Sequence, residues 1–347
     1  KPQTLQKTAL ALLVGWYAAN AAAYSEQGQA GNTKSWESAE YLKDWGLTSM
    51  NASTAYALGF NGSGVKIGVM DSGVLLNHPE FQDGRIHVVK TEGTYSKDGM
   101  RYPDASVGNG PINKNEPVKN GKRNFDKTDN GIFTKGEAFN IDGAWHKYTN
   151  DAHGTHVGGT MAASRDGNEM HGVAFGANLY SANTGGNDNM TYGPNQDYSF
   201  FLQGYSALAD AGAKVINNSW GSNRRVNSSF AGALGYKPKY DWRNVPEYGV
   251  QYYDVPKAPE PISSPAAHIY LSNLGEAEKA YYQFVTSGEK NFVDAAYEVA
   301  KNKQVIQVFT AGNRSMMAES FTRAMLPYFR PDAEKYWVNV TGQVGGE

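Results

Sequence analysis

Apolar runs of strand length alternate with helical patterns along most of this 347-residue chain. The predicted strands cover residues 65–70, 177–182, 214–217, 304–309 and 337–340. The predicted helices cover 153–163 and 197–211, and a further helix contains the apolar positions Phe292, Ala296, Val299 and Ala300. Alternation of this kind builds βαβ units, so we predict an α/β fold with a mainly parallel sheet and helices on both faces.

Two long stretches interrupt this alternation. Residues 91–149 are rich in Gly, Asn, Lys and Asp, which predicts a polar surface excursion. Residues 223–288 contain six of the 14 prolines and many tyrosines, which predicts a second excursion, ordered against the body but without regular structure. We therefore expect one domain over 61–347 with two long surface insertions, preceded by a lead-in segment over 24–60.

Charge and cysteine content exclude several classes of function. The chain has 32 basic and 34 acidic residues without a block of like charge, so a nucleic-acid partner is not expected. It has no cysteine, which excludes both disulfides and a cysteine nucleophile.

The amino-terminal residues have the pattern of an export signal. Lys1 and Lys7 precede an apolar run over 9–19, and small residues follow it as far as Ala23. This pattern predicts a signal peptide over 1–23, with an ordinary buried helix as the alternative. The run is too short to cross a bilayer, so we expect a secreted or cell-surface protein without a membrane-spanning segment in this chain.

Two polar residues occupy positions suited to catalysis. Asp71 ends the first predicted strand and is followed by a Ser-Gly turn, which places its carboxylate at the carboxyl edge of the sheet. His153 begins a predicted helix and is surrounded by small residues that allow a substrate to approach closely. A carboxylate that orients an imidazole base is the arrangement that activates a hydroxyl nucleophile. The alternatives are a turn-capping Asp71 and a locally bonded His153.

These two segments, together with residues 215–221 and 308–313, resemble the subtilisin-like serine peptidases, or subtilases, over roughly 61–344. The resemblance implies that Asp71 orients His153, that His153 is general base and acid, and that Asn313 donates to the oxyanion. It also implies a substrate-binding strand and its opposite wall, formed by Ser219, Trp220, Gly221, Ala311 and Gly312. The alternatives are a turn role for Asn313 and a core role for Trp220.

The resemblance lacks one part. The family takes its nucleophile from a Gly-Thr-Ser block late in the chain, and no such block precedes Glu347. We therefore expect a fragment that is inactive alone, from a secreted serine endopeptidase that cleaves extended polypeptides with a serine beyond Glu347. The chain resembles secreted subtilases of Gram-negative bacteria, including autotransporter passengers, in three features. These are its long insertions, a lead-in too short for a folded propeptide and the lack of cysteine.

Two other functions stay open at this point. One is a catalytically silent subtilase-fold module that binds peptides. The other is a metal-dependent hydrolase using His153 and His156, although zinc hydrolases of that type need glutamate where this chain has Gly154. The resemblance instead implies that His156 packs behind His153. No cofactor is expected for catalysis and no metal site is assigned; structural calcium is conceivable at 187–189, where a solvated turn fits better.

Overall fold

The computed structural model describes residues 28–97, 99–100, 132–145, 152–184, 197–220, 242–245, 250–253, 290, 292–310 and 326–340. Its strands are β1 (Lys66–Asp71), β2 (Ile86–Val88), β3 (Lys90–Thr94), β4 (Gly99–Met100), β5 (Ile132–Phe133), β6 (Ala138–Asp142), β7 (Asn178–Asn183), β8 (Val215–Asn218), β9 (Trp242–Val245), β10 (Val250–Tyr253), β11 (Ile306–Thr310) and β12 (Trp337–Val340). Its α-helices are α1 (Ala39–Lys43), α2 (Trp45–Ser49), α3 (Ala52–Ala57), α4 (His153–Ala162), α5 (Tyr198–Asp210), α6 (Phe292–Lys303) and α7 (Leu326–Phe329).

A parallel sheet organises the described residues. Its strand order is β12-β11-β8-β1-β7-β2, and every neighbouring pair is parallel. β1 pairs with β7 from Lys66↔Asn178 onwards and with β8 from Ile67↔Val215 onwards. This sheet, with helices packed on it, confirms the predicted α/β fold.

The two faces of the sheet bury different sets of residues because strand side chains alternate. Val69 of β1 packs with Val157 of α4 on one face. The neighbouring Met70 packs on the other face with residues of α5 and α6, including Phe201 and Phe292. Helices therefore cover both faces, as predicted.

The α5/α6 face is filled by aromatic rings. The Phe201 ring lies 5.5 Å from the Phe292 ring and 5.9 Å from the Tyr205 ring. All three side chains are buried, and each contributes roughly 1.5–3 kcal/mol through the apolar surface it removes from water. Asp197 caps the amino end of α5 by accepting a hydrogen bond from the backbone N–H of Phe200.

Both insertions contain regular structure that the sequence did not indicate. β3 and β6 pair antiparallel, and both Tyr95, directly after β3, and Phe139 of β6 are buried against Phe200. The predicted polar excursion over 91–149 therefore contributes buried side chains to the body of the protein, among them Thr91, Tyr95 and Phe139. In the second excursion β9 pairs with β10, which corrects the expectation of no regular structure there. The remaining parts of both insertions lie outside the described residues.

The lead-in segment packs against the loop that follows α4. Ser38 and Asp44 cap α1 and α2 with their side chains, which starts two short helices close together. Tyr41 and Tyr56 are buried in a cluster that includes Phe175, and the Tyr56 hydroxyl donates to the Val173 carbonyl at 2.8 Å.

The predicted signal peptide over 1–23 lies outside the described residues. Across the part that the structure describes, we find no helix with the length and apolarity needed to cross a membrane.

Candidate active site

The carboxyl end of β1 is a point where the strand order changes direction. From β1 the chain continues to β2 and β7 on one side, and it then crosses to β8, β11 and β12 on the other. Ligands of open α/β sheets bind in the crevice that such a change opens at the carboxyl edge. Asp71 is the last residue of β1, so its carboxylate lies at this crevice.

Asp71 and His153 are in direct contact. The Nδ1 atom of His153 lies 2.8 Å from Oδ1 of Asp71, although the two residues are 82 positions apart. The Asp71 side chain is 3% exposed, whereas that of His153 is 36% exposed. The carboxylate is therefore shielded from water, while part of the imidazole faces the solvent and is accessible to a substrate.

Hydrogen bonds fix the orientation of the Asp71 carboxylate. Oδ1 accepts a second bond, from the backbone N–H of Ser72 at 2.7 Å. Oδ2 is buried and has no hydrogen-bond partner among the described residues. A carboxylate in this position holds the proton of the imidazole on Nδ1, and Nε2 of His153 is then the basic nitrogen.

The start of α4 is fastened directly to the turn after β1. The Ser72 hydroxyl oxygen accepts from the backbone N–H of Gly154 at 2.8 Å, and the Thr155 hydroxyl oxygen accepts from the N–H of Leu75 at 3.0 Å. These two hydroxyls were missed by the sequence reasoning, although a polar residue beside each candidate residue was a usable signal. They fix the helix that carries His153 relative to the strand that carries Asp71.

Two glycines permit this close approach. A Cβ atom on Gly154 would lie 2.5 Å from the Gly73 carbonyl oxygen, and one on Gly73 would lie 2.5 Å from the Ala144 carbonyl oxygen. Gly73 also has a φ of +91°, a value that other residues rarely adopt. Backbone atoms cannot move aside as a flexible side chain can, so glycine is required at both positions.

The predicted substrate-binding residues fall partly within the described chain. Ser219 directly follows β8, and its hydroxyl oxygen accepts from the Asn217 side chain at 2.8 Å. Trp220 is 7% exposed and packs against Phe201 and Phe292, which agrees with the core alternative for its ring. Gly221, Ala311, Gly312 and Asn313 lie outside the described residues.

His156 does not pack behind His153. Its side chain is exposed, whereas Gly154, Val157, Gly158 and Ala162 form the buried face of α4. Position 156 is two residues from both 154 and 158, which places it on the opposite side of a helix.

Among the described residues there is no group of three or more His, Cys, Asp or Glu able to hold a metal ion. The calcium candidate at 187–189 lies outside them.

Comparison with known proteins gives consistent matches. A family model described as the subtilase family matches residues 62–343. An extracellular serine protease of Serratia marcescens is 29% identical over 343 residues, which cover 96% of this chain and 26% of that protein. Bacillopeptidase F of Bacillus subtilis is 28% identical over 275 residues, covering 74% of this chain and 16% of that protein.

Among solved structures, the chain is similar to that of fervidolysin from Fervidobacterium pennivorans, a keratinolytic enzyme related to subtilisin. It is 19% identical with a TM-score of 0.34, over 82% of this chain and 26% of that one. The chain thus spans about a quarter of the length of the Serratia relatives.

Proposed function

This chain belongs to the subtilase family, and from that premise we propose that its full-length protein is a secreted serine endopeptidase in which Asp71 orients His153. The observation that carries the proposal is the 2.8 Å contact between Nδ1 of His153 and the buried carboxylate of Asp71. The nucleophile in this proposal is a serine beyond Glu347. The Serratia relatives, which are named extracellular serine proteases, support the secreted location.

His153 transfers the proton in each half of the proposed reaction. A bond forms between the serine oxygen and the substrate carbonyl carbon while the serine proton passes to Nε2 of His153. The C–N bond then breaks, and His153 gives that proton to the departing amine. Water repeats the sequence on the acyl-enzyme, which releases the carboxyl product and restores the serine. Asp71 stays ionised throughout and stabilises the imidazolium that forms twice.

The residues beside the crevice supply the substrate contacts in this proposal. Ser219 and Gly221 follow β8 at the carboxyl edge, where their backbone can pair with an extended polypeptide. Ala311 and Gly312 follow β11, the next strand in the sheet, and form the other wall. Asn313 donates to the oxyanion of the tetrahedral intermediate, a contact with a typical value of about 2.7–4 kcal/mol in a subtilisin.

A fluorophosphonate probe applied to the full-length protein tests this function. The probe reacts with an activated serine, so we expect covalent labelling together with cleavage of an unfolded protein substrate. His153→Ala removes the base and should lower turnover by about 10⁴-fold or more, the scale known for serine-peptidase triads.

His156→Ala is the matched control, since it removes an exposed imidazole from the same helix. It should retain labelling and turnover. A folded wild-type protein that takes no label but still binds extended peptides would overturn the peptidase assignment and would support a peptide-binding module in its place.

A further inference from the structure

Strand β1 continues further along β7 than along β8. Its ladder with β8 ends at the pair Val69↔Asn217, whereas its ladder with β7 runs on to Asp71↔Asn183. The last two residues of β1 therefore have a backbone neighbour on only one side. This separation of β1 from β8 opens the crevice at the candidate active site.

The separation leaves the Met70 carbonyl without a strand partner. Successive carbonyls of a strand point to opposite sides. The Lys66 carbonyl accepts from Lys214 on the β8 side, and the Asp71 carbonyl accepts from Thr184 on the β7 side. The Met70 carbonyl, an even number of residues from Lys66, points to the β8 side beyond the end of that ladder. A buried carbonyl without a partner costs roughly 1–3 kcal/mol.

The side chain of Trp220 provides the missing donor. Its indole Nε1–H donates to the Met70 carbonyl oxygen at 2.6 Å. The indole ring lies 5.5 Å from the Phe201 ring of α5 and 5.2 Å from the Phe292 ring of α6, so both helices hold it in place. Among the large aromatic side chains, only tryptophan carries an N–H donor.

We propose that Trp220 is a positioning residue, which fixes the direction of the Asp71 carboxylate towards His153. The Met70 carbonyl and the Asp71 N–H belong to one planar peptide unit, so a bond to the first sets the orientation of the second. Without that bond, the last two residues of β1 pair only with β7 in the sheet, and the peptide unit between Met70 and Asp71 can turn, which moves the carboxylate relative to Nδ1 of His153. The expected effect on kcat rests on the proposed peptidase function, whereas the orientation of the Asp71 carboxylate by Trp220 does not.

The sharpest test replaces Trp220 in the full-length protein with 3-benzothienylalanine, in which sulfur takes the place of the indole N–H. Ring size and packing are retained while the donor is lost. We expect Tm to fall by a few degrees, which matches the loss of one buried hydrogen bond, with an unchanged KM and a kcat lowered by about tenfold, because small displacements of a catalytic group are costly. Leu208→Ala is the control for packing, because this buried residue of α5 lies two turns beyond Phe201; it should lower Tm and leave the ratio of kcat to KM close to that of the wild type.

A second readout does not depend on peptidase activity. Diethylpyrocarbonate modifies accessible imidazoles, and mass spectrometry can follow His153 and His156 in the same sample, with the exposed His156 as internal reference. Loss of the Trp220 donor should raise the modification rate of His153 several-fold relative to His156, whereas Leu208→Ala should leave this ratio unchanged. An unchanged ratio and kcat in the benzothienylalanine variant would overturn the proposal. A protein that takes no fluorophosphonate label but shows the raised ratio would refute only the proposed function.

Discussion

On one face of the central sheet α4 approaches β1 through glycine, whereas on the other face α5 and α6 meet the sheet through aromatic rings. Gly154 brings the helix backbone against the turn after β1, and Gly158 faces Val74 and Leu179. On the opposite face, Phe201 and Phe292 pack between the two helices and the strands.

The two faces of the sheet therefore have different roles. Contact between backbones leaves little freedom, so the α4 face sets the distance between Asp71 and His153. Large rings remove much apolar area from water, so the α5/α6 face supplies stability and supports the end of β1 through Trp220. Changes on the aromatic face should therefore mainly affect unfolding, and changes on the α4 face should mainly affect the site.

The largest expected effect is on the aromatic face. Phe201→Ala removes a fully buried ring that contacts Tyr205, Trp220 and Phe292, and it leaves a cavity between two helices. We expect a loss of about 3–5 kcal/mol in the free energy of unfolding, measured by urea denaturation. A loss below about 1 kcal/mol would show that this face does not supply the main stabilisation.

Next in size is the effect of a methyl group at the start of α4. Gly154→Ala places a Cβ atom against backbone atoms of Gly73 and Ser72, so the helix must move away from β1. We expect turnover of the full-length protein to fall by about 100-fold, because a displacement near 1 Å separates His153 from Asp71.

Gly159→Ala is the matched change in the same helix. A Cβ there has no atom within 4 Å, so only helix propensity changes. Stability should rise by up to about 1 kcal/mol with turnover retained. Equal losses of turnover in the two variants would contradict the division of tasks between the faces.

The faces also differ in how their buried polar groups are paired. Asp197, beside α5, accepts bonds from Ser96, Lys97 and Phe200. On the α4 side, His171 is buried beside Tyr41, Tyr56 and Phe175, and its Nε2 atom has no hydrogen-bond partner among the described residues. Burial lowers the pKa of His171 below its ordinary value of 6.5.

A lowered histidine pKa makes folding sensitive to acid. The unfolded chain binds the proton more readily than the folded one, so the contribution of His171 is complete above about pH 6.5 and is lost as the pH falls below it. We expect the Tm of the wild type to drop between pH 7 and pH 5, and this drop to be smaller in His171→Phe. His87→Phe, which replaces a half-buried ring stacked on Tyr180, should keep the wild-type drop.

The smallest expected effect is at Glu80 and has the opposite sign. Burial, and then the charges of Asp166, Glu40, Glu169 and Asp83, raise the pKa of Glu80 to about 7. The folded state therefore favours the protonated carboxyl, and the contribution of Glu80 is complete below pH 4.5 and lost as the pH rises through about 7. Glu80→Gln should raise Tm by about 1 °C at pH 8 and leave it unchanged at pH 4.

Glu92→Gln, at an exposed position of β3, controls for the loss of one negative charge. It should not alter Tm at either pH. A gain in Tm for Glu80→Gln that is equal at pH 4 and pH 8 would count against the buried carboxylate as its cause.

Five of the six strands of the central sheet were predicted from their apolar runs, whereas the three-residue edge strand β2 was missed because it is too short to show a period. β1 and α4 begin or end within one residue of the prediction, since their apolar period and their glycines indicate the same boundaries. β3 was missed because Lys90, Glu92 and Thr94 give it a polar composition, and its partner β6 lies more than 40 positions further along the chain. Its order comes from packing against α5, which local sequence does not encode.

In the candidate site, the pairing of Asp71 with His153 was predictable in the same way. The contact between Asp71 and His153 follows from a strand end and a helix start at one edge of a parallel sheet. The sequence left Trp220 between core and substrate contact, because its ring suits both environments. Its bond to Met70 depends on where the β1–β8 ladder ends, and only the three-dimensional register shows that.

The side chain of Asn218, buried where β8 ends, has a consequence for how the sheet assembles. Its amide donates to the Gln307 side chain and to the Val308 carbonyl, and its oxygen accepts from the Tyr205 hydroxyl. If β8 slipped by one residue against β11, these groups would be left unsatisfied inside an apolar interior. The three hydrogen bonds of the Asn218 side chain therefore favour one alignment of β8 with β11 and disfavour misaligned intermediates during folding. As a result, the crevice forms in a single geometry.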